Sequence, residues 1–156
     1  SPVLGWLVPM EITRKGKTFH VKGKRTEFSL AESTLSFPDR PHLIISGPGE
    51  YEVGGVTISG VKMHGVLYMK MVVDGVSLLY LPSIPKGEGA LEQFSPVDIL
   101  FLGEYGEIIH DLEPKILIPI QGSLSQNLGK PVEETKKLTV TADKLPEELK
   151  VVVLNG

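Results

Sequence analysis

No cysteine occurs among the 156 residues. Disulfides, thiolate metal centres and cysteine nucleophiles are therefore excluded together. No apolar run approaches the roughly 20 residues a membrane-spanning helix requires. The opening SPVLGWLVP has no basic n-region, and no lipidation or address signal follows, so the cytoplasm is the expected location. Histidine is sparse: His20, His42, His64 and His110 are too far apart in sequence to form a local metal-ligand pair. No G-x-S-x-G elbow is present, so a serine triad is not expected. The glycines of Gly47-Pro48-Gly49 and Gly54-Gly55 match no phosphate-cradling fingerprint and read as turns.

What the chain does have is strand and turn material. Seventeen glycines and twelve prolines accompany 41% hydrophobic and 22% charged residues. A chain of this size buries about two-thirds of its surface, enough for one core without staples. The expected organisation is a single domain over 10–156, with 1–9 as an N-terminal extension. Apolar runs bounded by Gly, Pro or Asp predict strands near Leu7–Thr13, Thr18–Lys22, Thr26–Leu30, Leu43–Ser46, Tyr51–Ile58 and Val66–Val73. Further strands are predicted near Val76–Leu81, Ile99–Leu102, Ile116–Ile120, Leu138–Thr141 and Lys150–Leu154. Asp74-Gly75 between two of these runs marks a hairpin, because this pair supplies the positive φ angles of a type I′ turn. A helix is predicted over Glu104–Glu113, with Tyr105, Ile108, Ile109 and Leu112 on one face and Pro114 as its stop. Flanked by two fully apolar strands, it makes a βαβ-like unit. Weaker helical turns are expected at Glu88–Phe94, Ser123–Leu128 and Pro146–Glu148.

Charge is unevenly placed. Arg14, Lys15, Lys17, Lys22, Lys24 and Arg25 form a basic stretch without a carboxylate, whereas Glu88 to Glu113 carries seven acids and no Lys or Arg. The simplest reading is two solvated faces. A sharper one is nucleic-acid contact through Arg14, Lys15, Lys17, Phe19, His20, Lys22, Lys24 and Arg25, with Phe19 and His20 stacking on bases. Glu50 and Glu52 share a strand face and read as solvated. His110 suits a helix C-terminus.

The run from Ile45 to Gly60, ISGPGEYEVGGVTISG, resembles a segment of small bacterial metallo-β-lactamase-fold hydrolases, the lactonase-like zinc-dependent branch. Met10-Glu11-Ile12-Thr13 with Gly16, the Val66–Leu81 hairpin, Val97–Leu100 with Leu112–Pro119, and Lys144–Glu148 with Val151–Leu154 agree with it in order. The resemblance implies an α/β fold: a truncated metallo-β-lactamase-like sandwich, β-rich with few helices. Such enzymes use two zinc or similar divalent ions to activate water and polarise the substrate. Their ligands come from an HxHxDH loop, a middle His, an Asp after the hairpin and a His after the βαβ unit. Here the stretch between Phe28 and Leu43 carries no such loop and is several dozen residues shorter. Ser83 stands at the Asp position and Gln121 at the last His, with His64 near the middle His. Neutral Ser and Gln oxygens hold a dication poorly.

The resemblance thus implies His64, Ser83 and Gln121 as vestiges of a metal site. The expectation is a metal-free, catalytically inactive, self-associating interaction or structural module, without cofactor. The shortening is expected to leave apolar sheet for a partner or second copy to cover. The alternatives are a hydrolase rebuilt around one ion on His64, Gln121 and Ser83 with His20 or His42, and the nucleic-acid binder described above.

Overall fold

A computed structural model describes residues 8–87, 89–121 and 129–156 of the chain. Two sheets pack face to face. The first contains β1 (Met10–Lys15), β2 (Thr18–Lys22), β3 (Glu27–Ala31), β4 (Thr34–Phe37) and β5 (Arg40–Ile45) as an antiparallel meander. The second opens with β6 (Gly49–Val53), β7 (Val56–Met63), β8 (Val66–Val73) and β9 (Val76–Leu81), also antiparallel. It continues in parallel through β10 (Ile99–Leu102), β11 (Ile116–Pro119), β14 (Lys150–Leu154) and β12 (Val132–Thr135). The remaining strand, β13 (Lys137–Val140), crosses over to pair with β1 in the first sheet.

Side-chain alternation explains the layering. Along β2, Phe19 and Val21 point inward while His20 and Lys22 point outward, and β3 presents Phe28 and Leu30 in matching register. Period-two burial of this kind suits a sheet covered on one face. Strands β9, β10 and β11 are instead buried at every position. They are covered on both faces, as parallel strands usually are. One core fills the space between the sheets, and Phe19 meets Phe101 edge to face there at 4.9 Å. A second core lies on the outer face of the larger sheet, around Tyr68, Leu79, Phe94, Leu100, Leu112 and Leu117.

The outward positions of the first sheet include Glu11, Thr13, His20, Lys22, Glu27, Ser29, Thr34 and Ser36, none of them buried, and Ile44, opposite Ser36, is a large apolar side chain exposed on this face. This face is therefore mostly polar, with Ile44 as its exposed apolar side chain, and not the broad apolar surface expected from the shortening. Its polar side chains satisfy one another: His20 Nδ1 is 2.9 Å from Ser29 Oγ, and Lys137 pairs with Glu11.

Several local expectations change. The Tyr51–Ile58 run is two strands, because Gly54 and Gly55 both take positive φ and turn the chain between β6 and β7. Strands β4 and β12 are additions, both only four residues long. The Glu104–Glu113 helix reduces to a 3-10 segment at Glu107–Leu112, since Gly106 is extended and Glu113 left-handed. Of its predicted face, Leu112 is buried but Tyr105 is 37% exposed. The other turns are at Glu92–Phe94 and Ala142–Lys144, and Pro146–Glu148 is non-helical. Ser123–Leu128 lies outside the described residues.

Gly60 shows how tightly the sheets' connection packs. A Cβ there would sit 2.6 Å from the Gly47 carbonyl oxygen. Gly60→Ala is expected to lower stability by about 1–2 kcal/mol, read as a lower urea midpoint with unchanged slope.

Candidate functional site

Parallel strands β9, β10 and β11 end side by side, at Pro82-Ser83, Gly103-Glu104 and Ile120-Gln121. In open α/β sheets this carboxyl end is where ligands bind. Gly103 permits the close approach: its N–H donates to the Leu81 carbonyl at 2.9 Å, and any Cβ would collide with the Pro82 carbonyl.

Two straps join the sheets at this end. Arg14, from β1, donates from Nη2 to the Ile120 carbonyl at 2.5 Å and from Nη1 to the Pro119 carbonyl at 3.4 Å. Its Nε donates to the Gly16 carbonyl at 2.8 Å, and the guanidinium lies 5.0 Å from the Phe19 ring centre. Ser33, in the β3–β4 turn, donates from Oγ to the Leu67 carbonyl on β8 at 2.8 Å. That turn is tight: Glu32 and Ser33 both have positive φ.

Tyr80 lies in the intersheet core at 5% exposure. Burial pushes its phenol pKa above 10.0; the Glu32 carboxylate adds to this, while a hydrogen bond with the Glu32 backbone and the charge of Arg14 oppose it. An acid whose pKa is raised by folding contributes stability below its unfolded value and loses it as pH rises through the folded one. Burial moves Lys70 the opposite way, lowering its pKa against the pull of Asp98. Comparison with Tyr80→Phe cancels the lysine. The variant is expected to show a shallower loss of stability above pH 10 than the parent, measured by urea unfolding across that range.

The expected site residues do not gather at one point. His64 occupies the β7–β8 turn at φ 50, and Ser83 follows β9; both line one cleft on the outer face of the larger sheet. Gln121 follows β11. Three strand spacings, about 14 Å, separate β8 from β11. His20 is on the outer face of the first sheet, and His42 is exposed on β5. Among the described residues, no three His, Cys, Asp or Glu side chains are grouped to hold a metal.

The basic stretch is also divided. Lys15 and Lys17 flank the β1–β2 turn, while Lys24 and Arg25 lie beyond the opposite end of β2. Phe19 is 1% exposed and packed on Phe101, so it does not stack on bases. Arg14 is committed to its strap. Lys22 shares its face with Glu11 and Glu27, which sit opposite it in register.

The fold has a solved counterpart. A Thermotoga maritima protein, described provisionally as a Zn-dependent hydrolase of the metallo-beta-lactamase superfamily, superposes with a TM-score of 0.66 at 19% identity. The match covers 93% of this chain and 98% of that one. The chain has a metallo-β-lactamase-like fold. No family model matches the sequence, and no curated protein does.

Near-complete coverage in both directions means that the short metallo-β-lactamase-like form is not peculiar to this chain. What bears on chemistry is local. The stretch between Phe28 and Leu43 runs through β3, a two-residue turn, β4, a second two-residue turn and the start of β5. Sequence reasoning missed Arg14 as a strap, counting it with the basic run, and missed Tyr68 and Lys86 beside Ser83. Nothing in residue type or spacing separates Arg14 from its basic neighbours.

Proposed function

We infer that the chain is a non-hydrolytic derivative of the metallo-β-lactamase-like fold, used as an interaction or structural module. The Arg14 strap carries this reading. It sets a fixed positive charge on the carbonyls that immediately precede Gln121. A cation held there raises the cost of placing a dication beside it. The nearby donor set is also a poor match for a hydrolytic metal: Ser83 and Gln121 are neutral, Ser83 Oγ is 3.2 Å from Tyr68 Oη, and the carboxylate of Glu104 accepts from the Ile84 N–H at 3.3 Å. The residues present do not fit the dinuclear centre that the fold family implies, and no step is routed through one.

The test is turnover by the metal-replete protein on thioester, lactone and phosphodiester substrates with zinc or manganese present. No rate above buffer is expected. Turnover that saturates with substrate and falls on Gln121→Ala would overturn the reading. Self-association belongs to the same reading, with a second copy as the expected partner, and mass in solution by light scattering tests it separately.

A further inference from the structure

The β7–β8 turn and the segment after β9 enclose a cleft of about 260 Å³ on the outer face of the larger sheet. Four polar side chains line it: His64, Tyr68, Ser83 and Lys86. Two of them, His64 and Lys86, are exposed, and the other two are paired. Tyr68 is 2% exposed, packed in the outer core against Phe94, and its Oη lies 3.2 Å from Ser83 Oγ. Two hydroxyls are thus held in place by a buried ring. The backbone of His64 is left-handed in the hairpin turn, which Gly65 completes at φ 80.

The charges are one-sided. Lys86 supplies an ammonium and His64 an imidazole, and among the described residues lining the cleft there is no carboxylate. Glu104 is tied to the same segment by accepting the Ile84 backbone N–H at 3.3 Å. Beside the donors, Val66 and Ile84 form an apolar wall continuous with the outer core. Donors lining one cleft beside an apolar wall suit a ligand with an anionic head and a hydrocarbon arm. The volume falls just below the roughly 300 Å³ at which drug-sized pockets begin, so the arm is short.

We propose that this cleft binds a small organic carboxylate, its head on Lys86, His64 and the Ser83 hydroxyl and its alkyl arm on Val66 and Ile84. Binding here uses neither the strap at Arg14 nor a metal, so it stands or falls separately from the non-hydrolytic reading.

Hexanoate titrated into the full chain, followed by the NMR signals of the His64 ring and the Ser83 amide, provides the test. Saturable shifts are expected, with hexylamine giving none. Lys86→Gln is expected to weaken binding about tenfold, as for loss of one charged hydrogen bond. Lys86 is exposed, so its urea midpoint should not move. Ser83→Ala is expected to weaken binding several-fold. Absence of saturation, equal shifts with hexylamine, or unchanged affinity in Lys86→Gln would each overturn the proposal. Inorganic phosphate binding as tightly as hexanoate would overturn the role of the apolar wall.

Discussion

Phe101→Ala is expected to lower the unfolding free energy by about 3–5 kcal/mol, the largest single effect foreseen for this chain. Phe101 is fully buried in the middle of β10, where a parallel neighbour runs on either side. Its ring is the contact through which the larger sheet meets Phe19 of the smaller one. Truncation removes the edge-to-face pair and leaves a cavity that two sheets, each held in register by its own hydrogen bonds, cannot close by sliding together. Phe101→Leu, which keeps most of the volume, should recover more than half of the loss. Equilibrium urea unfolding of the three proteins decides the matter. A loss below about 1 kcal/mol for the alanine variant would mean that the sheets do not pack through these rings.

Arg14→Met should cost about 2–3 kcal/mol, the range for charged hydrogen bonds to partly buried acceptors. The substitution keeps much of the apolar stem over Phe19 but removes the donors to Pro119 and Ile120. Those carbonyls then need water. Arg14→Lys should recover only part of the loss, because a point charge on a flexible stem does not reproduce the planar fork that reaches both oxygens. A structural consequence also follows: amide exchange should quicken at Gln121 and at the β1–β2 turn more than in β7 or β8, since the strap joins only the former pair. Uniform quickening would indicate a general loss of stability instead.

Much of the architecture was legible because it follows from short-range chemistry. Asp74-Gly75 specified its hairpin through positive φ, observed at 50° and 78°. Continuous apolar runs at Ile99–Leu102 and Ile116–Pro119 announced strands covered on both faces, and they are parallel neighbours. The errors have equally local causes. Gly54-Gly55 reads as a turn by residue type and is one, and it divides the Tyr51–Ile58 run that apolar content alone predicts as a single strand. The helix at Glu104–Glu113 obeys helical spacing, but Gly106 is extended and Glu113 left-handed, which leaves only a 3-10 segment between them.

The site was less legible than the fold. Whether Phe19 faces solvent or core depends on strand register, and period-two alternation with Val21 was the available signal. Arg14 offered none: its partners lie 105 and 106 residues away, and only the packed fold brings them together. Tyr68 beside Ser83 is likewise a product of β8 pairing with β9. The polar outer face of the first sheet was written in the same alternation that gave its inward face, but the expectation of uncovered apolar surface came from the resemblance and not from those residues.

The central claim is that the Arg14 strap, the neutral Ser83 and Gln121 and the carboxylate of Glu104 occupy the carboxyl end of the parallel strands without forming a metal centre. Elemental analysis of the full chain, purified with zinc and manganese supplied throughout and then desalted, tests it most directly. The account predicts well under one metal ion per chain, unchanged in Gln121→Ala. One or more ions per chain, retained through desalting and lost in Gln121→Ala, would contradict it.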